Sequence, residues 1–124
     1  MEVEQVERAK EFLKAAEWAL ANELLNVCAL CCYAALFWAA IVALEHQGFK
    51  RPEWSHGGLK DTFTYELIKR RRIYPPMFGT WLGDAYWART IAHYERVTLG
   101  VKFMRRLVNH TREFVTKVEE VTKA

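Results

Sequence analysis

The chain reads as all-α, an up-and-down bundle of four long helices plus one shorter helix. Three observations predict it. Apolar residues recur at spacings of three and four through most of the chain, and nowhere alternate over a short run bounded by turns, as a half-buried strand would. The stretch Val27–Leu44 carries no charge at all, which marks an element surrounded by the others. Gly48, Pro52 and the pair Pro75-Pro76 stand where helices should stop or start.

The first helix is expected from about Val3 to Ala21, with Val3, Val6, Ala9, Leu13, Ala16 and Leu20 as its apolar stripe. Glu2, Glu4 and Glu7 suit the positive end of its dipole. Asn22 through Gln47 forms the second helix, apolar nearly all round and therefore central. Gly48 ends it, and Gly48–Trp54 is a loop. Ser55 can cap a third helix that carries Leu59, Phe63 and Leu67 on one face and runs into Lys69–Arg72. After Pro75-Pro76 a fourth helix covers roughly Pro76 to His93, where a proline in the first turn loses no hydrogen bond. Tyr94–Val97 is a short connection, and Thr98 can cap a last helix striped by Val101, Met104, Val108, Val115 and Val118, with Leu107 and Phe114 beside them.

With 124 residues, 52% hydrophobic and 27% charged, the composition is that of an ordinary globular protein, and one domain over 1–124 is expected. No repeat, linker or low-complexity tract divides it. The acidic opening Met-Glu-Val-Glu-Gln does not resemble a secretory leader, and Cys28, Cys31 and Cys32 crowd one apolar segment rather than spreading as disulfide partners. Both point to the cytoplasm. Val27–Leu44 approaches the length of a membrane span, but the amphipathic helices around it require an apolar partner, so a buried core helix is expected and no membrane.

The net charge of +3 is unevenly distributed, with six acids and three bases in residues 1–44 against nine acids and fifteen bases in 45–124. An anionic partner for the second half follows from this; so does the plainer reading of a solvated basic face.

Arg89 and His93 stand four residues apart, one helical turn, so both can address one small anion. Arg holds two phosphate oxygens at once, and a histidine can exchange a proton near neutral pH. RNA supplies its own nucleophile in the 2′-hydroxyl, so such a pair can serve cleavage without a metal or other cofactor. The alternative is structural, with Arg89 paired to Asp84 or Glu66 and His93 filling a helix interface. A second match, Arg105 and His110, is five residues apart, which leaves the side chains roughly 140° apart on one helix. Arg70, Arg71 and Arg72 supply electrostatic support for RNA, and Tyr65, Tyr74, Trp81, Tyr86, Trp87 and Tyr94 are either stacking surfaces or core. His56 either reaches the site or braces the third helix. Cys28-Ala-Leu-Cys31 lacks the second pair a zinc site needs, and no metal is expected.

Four segments in order, Cys32-Tyr-Ala-Ala-Leu-Phe-Trp-Ala-Ala40, Ser55-His-Gly-Gly-Leu59 with Phe63, Arg89-Thr-Ile-Ala-His-Tyr94 and Arg112-Glu-Phe-Val115, resemble the HEPN domain, a nucleotide-binding domain of higher eukaryotes and prokaryotes. The resemblance implies an RNA- or nucleotide-binding protein of a toxin–antitoxin or defence module. It implies a homodimer with facing Arg/His helices and metal-independent endoribonuclease chemistry at Arg89 and His93. The ribonuclease members place four to six residues between Arg and His, whereas three stand here. The nearer pattern is a subgroup reading Arg-x-x-Ala-Asp-Tyr, with His93 at the Asp position and Tyr94 at the Tyr. That subgroup is better known as the partner of a minimal nucleotidyltransferase, which leaves open a non-catalytic subunit that helps the partner hold its substrate. By the same analogy Tyr94 is a residue that a partner enzyme can modify, and His56 occupies a position the family tends to fill with His.

Overall fold

A computed structural model describes residues 2–123, with side chains from Gln5 onward. Its helices are α1 (Glu2–Ala21), α2 (Leu25–His46), α3 (His56–Thr62), α4 (Met77–Tyr94) and α5 (Val101–Lys123), and α3 continues without a break into a π-helical segment, Phe63–Arg70. No strand occurs among the described residues. The all-α bundle expected from periodicity is therefore the fold. Val3, Glu2 and Glu4, assigned to the first stripe and its acidic start, lie outside the described side chains.

α2 is central, packing on α1, α4 and α5 and touching α3. Cys28, Ala29, Cys32, Ala35, Leu36 and Ala39–Leu44 are buried in it. It is long and apolar enough to cross a membrane by length and composition, yet 61% of its apolar stretch is buried against the other helices, the environment of a core element. Ala9, Ala16 and Ala19 of α1 and Ala29 and Ala35 of α2 are all buried, and such small side chains let the two packed helices approach closely. The Cys28 thiol donates to the Ala16 carbonyl at 3.4 Å. Cys31, by contrast, is only partly buried.

Two helix ends use one device. At α2 the Phe49 N–H reaches the Leu44 carbonyl and the Gly48 N–H the Glu45 carbonyl, with Gly48 at φ 93°. At α1 the Leu24 N–H reaches Ala19 and the Glu23 N–H reaches Leu20, with Glu23 itself at φ 57°. Both are Schellman closures. The second corrects the expected start of α2 from Asn22 to Leu25: Glu23 adopts a left-handed conformation that glycine would normally announce, so the turn consumes Asn22–Leu24. Thr98 is likewise not the cap of α5. Leu99 is buried as an anchor, and the helix opens after it with the Met104 N–H on the Gly100 carbonyl at 3.0 Å.

Ser55 caps α3 as expected, its Oγ accepting from the Gly58 N–H at 3.0 Å. The change to π geometry at Phe63 turns Phe63, Leu67 and Ile68 inward, and the Arg71 N–H closes on Glu66 five residues back. The α3–π arm then runs against α4 in a register that small residues permit. A Cβ at Gly79 would meet Thr64 Oγ1 at 3.0 Å and one at Gly83 would meet Lys60 Cε at 3.3 Å, while one turn further along His56 lies on Tyr86. The glycines at 79 and 83 let the two helices approach closely enough for that stack.

Candidate functional site

Tyr86, Arg89 and His93 occupy one stripe of α4, since α-helical rotation over three, four and seven residues returns to nearly the same direction. The Arg89 guanidinium lies over the Tyr33 ring of α2, 5.0 Å from its centroid. Tyr33 in turn contacts His56 at 5.8 Å and Tyr86 at 6.0 Å, and His56 stacks on Tyr86 at 3.9 Å with 12° between the planes. Three elements that are distant in sequence thus meet around one guanidinium. Arg89 has neither of its expected acidic partners: Glu66 accepts from Arg70 at 2.6 Å instead.

His93 is exposed near the C-terminus of α4, with the Tyr94 ring 5.3 Å away. Tyr94 is 70% exposed. His93 therefore fills no helix interface and stands open to a ligand, one turn from Arg89.

His56 belongs to this cluster rather than merely bracing α3. Burial pulls its imidazole below the ordinary histidine range, and the nearby charges of Lys60 and Arg89 act in the same direction, against a smaller opposing effect of Asp61. Tyr33 moves upward through burial, with Arg89 pulling the other way. The linkage consequence has a definite sign. A histidine held neutral contributes stability that is fully present above its unfolded value, about 6.5, and is lost as pH falls through its lower folded value. Between pH 7 and pH 5 the melting temperature of the wild type is expected to fall further than that of His56→Gln, with the proton-driven part of the difference absent in the variant.

The other sequence candidates separate. Arg70 pairs with Glu66, whereas Arg71 donates to Gln47 Oε1 at 3.0 Å and lies over the Phe49 ring at 4.9 Å. Arg72, at φ 53°, lines an open groove of about 820 Å³ together with Lys69, Lys117 and the two prolines. This run sits beside the start of α4, roughly 20 Å along the axis from Arg89 at 1.5 Å per residue. One chain does not bring the two sets together. Nearer to Arg89 in sequence, Arg96, Lys102, Arg105 and Arg106 are all exposed around the α4–α5 connection.

His110 is stacked on Trp81 at 4.2 Å and 7°, a packing role, whereas Arg105 is exposed. Arg112 is held by Glu17 at 2.6 Å and by Asn109. Of the candidate stacking aromatics, Tyr74 and Trp81 are core, while Tyr65, Tyr86, Trp87 and Tyr94 are exposed. Tyr33 was not singled out by sequence reasoning. Its signal was a lone phenol at the edge of an otherwise apolar helix, easily absorbed into the core.

A family model described as the HEPN domain matches residues 3–121, nearly the whole chain. A search of curated proteins found no match. The family match supports a nucleotide- or RNA-related role in general.

Proposed function

The chain belongs to the HEPN domain family, and from that premise we propose that it binds RNA through Arg89 and cleaves it without a metal, His93 moving the proton. The observation that carries this reading is the shared face of α4, where an aromatic-backed guanidinium lies one turn from an exposed imidazole. Arg89 takes two non-bridging oxygens of the phosphodiester in a forked pair of hydrogen bonds. His93 takes the 2′-hydroxyl proton as the 2′-oxygen bonds to phosphorus. The 5′-oxygen leaves with its electron pair and takes a proton from water or from the imidazolium. The products are a 2′,3′-cyclic phosphate and a 5′-hydroxyl.

The exposed Tyr86, Trp87 and Tyr94 offer ring faces for unpaired bases, and Arg96, Lys102, Arg105 and Arg106 supply charge for the backbone. We place the protein in a cytoplasmic toxin–antitoxin or defence module, acting as a homodimer. The test is digestion of a mixed RNA pool in EDTA by the wild type, His93→Ala and Arg89→Ala. Cleavage that leaves cyclic phosphate ends and falls at least about 100-fold in both variants supports the reading. Intact RNA with the wild type, or equal cutting by the variants, removes it.

A second reading rests on Trp87, Tyr94 and Val97, exposed by 52%, 70% and 63% at the same end of α4. They form a surface on which a minimal nucleotidyltransferase could dock, Arg89 then holding the partner's substrate and Tyr94 being open to modification.

A further inference from the structure

The open groove of about 820 Å³ lies between the end of the π-helical segment, the two prolines ahead of α4 and the C-terminal half of α5. Three cations border it, Lys69 from the π segment, Arg72 from the turn that follows and Lys117 from α5, and no carboxylate among the described residues does. Neighbouring cations are taken up elsewhere: Arg70 pairs with Glu66, Arg71 is held by Gln47 and Phe49, and Arg112 pairs with Glu17. The three at the groove make no ion pair among the described residues. Glu113 and Glu120 stand with Lys117 around a separate hollow, and neither pairs with it.

The backbone sets the shape of this groove. The Ile73 and Tyr74 N–H groups both close on the Leu67 carbonyl, at 2.8 and 3.3 Å, which fixes the turn with Arg72 at φ 53°. Glycine would make that turn with less strain. The backbone thus gives no reason for an arginine at 72, whereas the groove beside it does. Tyr74 anchors the wall through its ring contacts with Phe63 and Phe78, and Pro75 and Pro76 continue it with little conformational freedom to lose on binding.

Cations from three elements around an aliphatic wall of Ile73, Pro75 and Pro76 suit a ligand that carries several negative charges along its length with apolar groups between them. Single-stranded RNA has the charges, but its bases need ring faces. Among the described residues Tyr74 is the only ring lining the groove, and it is 3% exposed. A lone phosphate makes no use of the aliphatic wall. A polypeptide with carboxylates beside aliphatic side chains answers both features. We propose that the groove docks an extended acidic segment of a partner protein, its carboxylates on Lys69, Arg72 and Lys117 and an aliphatic side chain against Ile73 and the prolines. The proposal does not depend on the RNA reading, since the groove lies at the start of α4 and Arg89 near its end.

The test pans a phage-displayed library of random octapeptides over the full chain and measures the enriched peptides by fluorescence anisotropy. The variants are Arg72→Gly, Lys117→Gln, the two combined, and Lys14→Gln. Arg72→Gly keeps the left-handed turn and is expected to fold, while Lys14→Gln removes an equal charge from an exposed position on α1. The enriched peptides are expected to combine carboxylates with an aliphatic residue. Their binding should fall at least about threefold in Arg72→Gly and in Lys117→Gln and at least about tenfold in the combined variant, with Lys14→Gln like the wild type. Fluorescent hexauridylate, run beside them, should bind the groove variants as it binds the wild type. A library that yields no enriched peptide, or only peptides without acids, overturns the proposal, as does equal binding by the combined variant. Hexauridylate binding that falls with the groove substitutions makes the groove an RNA path and overturns it too. If those substitutions halve the mass in solution and leave peptide binding unchanged, the groove is an interface between copies and the proposal falls.

Discussion

Phe114→Ala is expected to lower the unfolding free energy by about 3–5 kcal/mol, the usual cost of removing a buried phenyl ring and leaving its cavity. Phe114 is fully buried where α5 meets α4 and the π segment, its ring 4.6 Å from Phe78 and 5.4 Å from Phe63. Phe63 and Phe78 each continue to Tyr74, at 5.3 and 5.7 Å. No single helix supplies this cluster, so its loss loosens three elements together. Against a total stability of about 5–15 kcal/mol, the melting temperature should drop by roughly 10–20 °C. Trp18→Ala, at a residue 62% exposed, should change it little. Urea unfolding that gives less than about 1 kcal/mol for Phe114→Ala, at an unchanged slope, would show that α5 is not secured through this ring.

The contrast between Phe114 and Trp18 also shows which parts of the fold the sequence carries. Spacing of three and four reports a helix and its inward face, and it located all four long helices to within a few residues. The uncharged run of α2 reported a central position because only a surrounded helix can be apolar all round. Ser55 and Gly48 acted where their local chemistry said they would, the first through a hydroxyl aimed at an N–H and the second through a left-handed φ. Glu23 and Arg72 adopt that same backbone region with ordinary side chains, so no letter marks the turns they make. The π geometry of Phe63–Arg70 is equally silent, because its residues would also make a good α-helix.

The site was legible in one element and hidden in the others for a related reason. Arg89 and His93 are neighbours through helical rotation alone, which a sequence states directly. Tyr33, His56 and Tyr86 meet only because α3 lies close along α4 at Gly79 and Gly83 and α2 presents its phenol to both. Those are distances between helices. Charge pairing offered Asp84 or Glu66 as the structural alternative for Arg89, but its partner is an aromatic face on a helix that read as pure core.

That aromatic face sharpens what Arg89 should do. Arg89→Lys keeps a positive charge on a chain of similar length, so a site needing only charge should tolerate it. The arrangement over Tyr33 favours a planar cation, since a guanidinium stacks on the ring while its edge presents paired N–H donors outward, whereas an ammonium is compact and more strongly hydrated. Under the ribonuclease proposal, fork-like donation to two phosphate oxygens is lost with the guanidinium. Single-turnover RNA cleavage in EDTA is therefore expected to fall about 10- to 100-fold in Arg89→Lys and about 100- to 1,000-fold in Arg89→Ala, where one stabilising cation at the developing charge is gone altogether. Lysine at the wild-type rate would mean that charge alone suffices and that the Tyr33 platform has no part in orienting the phosphate. Equal losses in the two variants would mean that the fork accounts for the whole of the contribution of Arg89, leaving none to its charge.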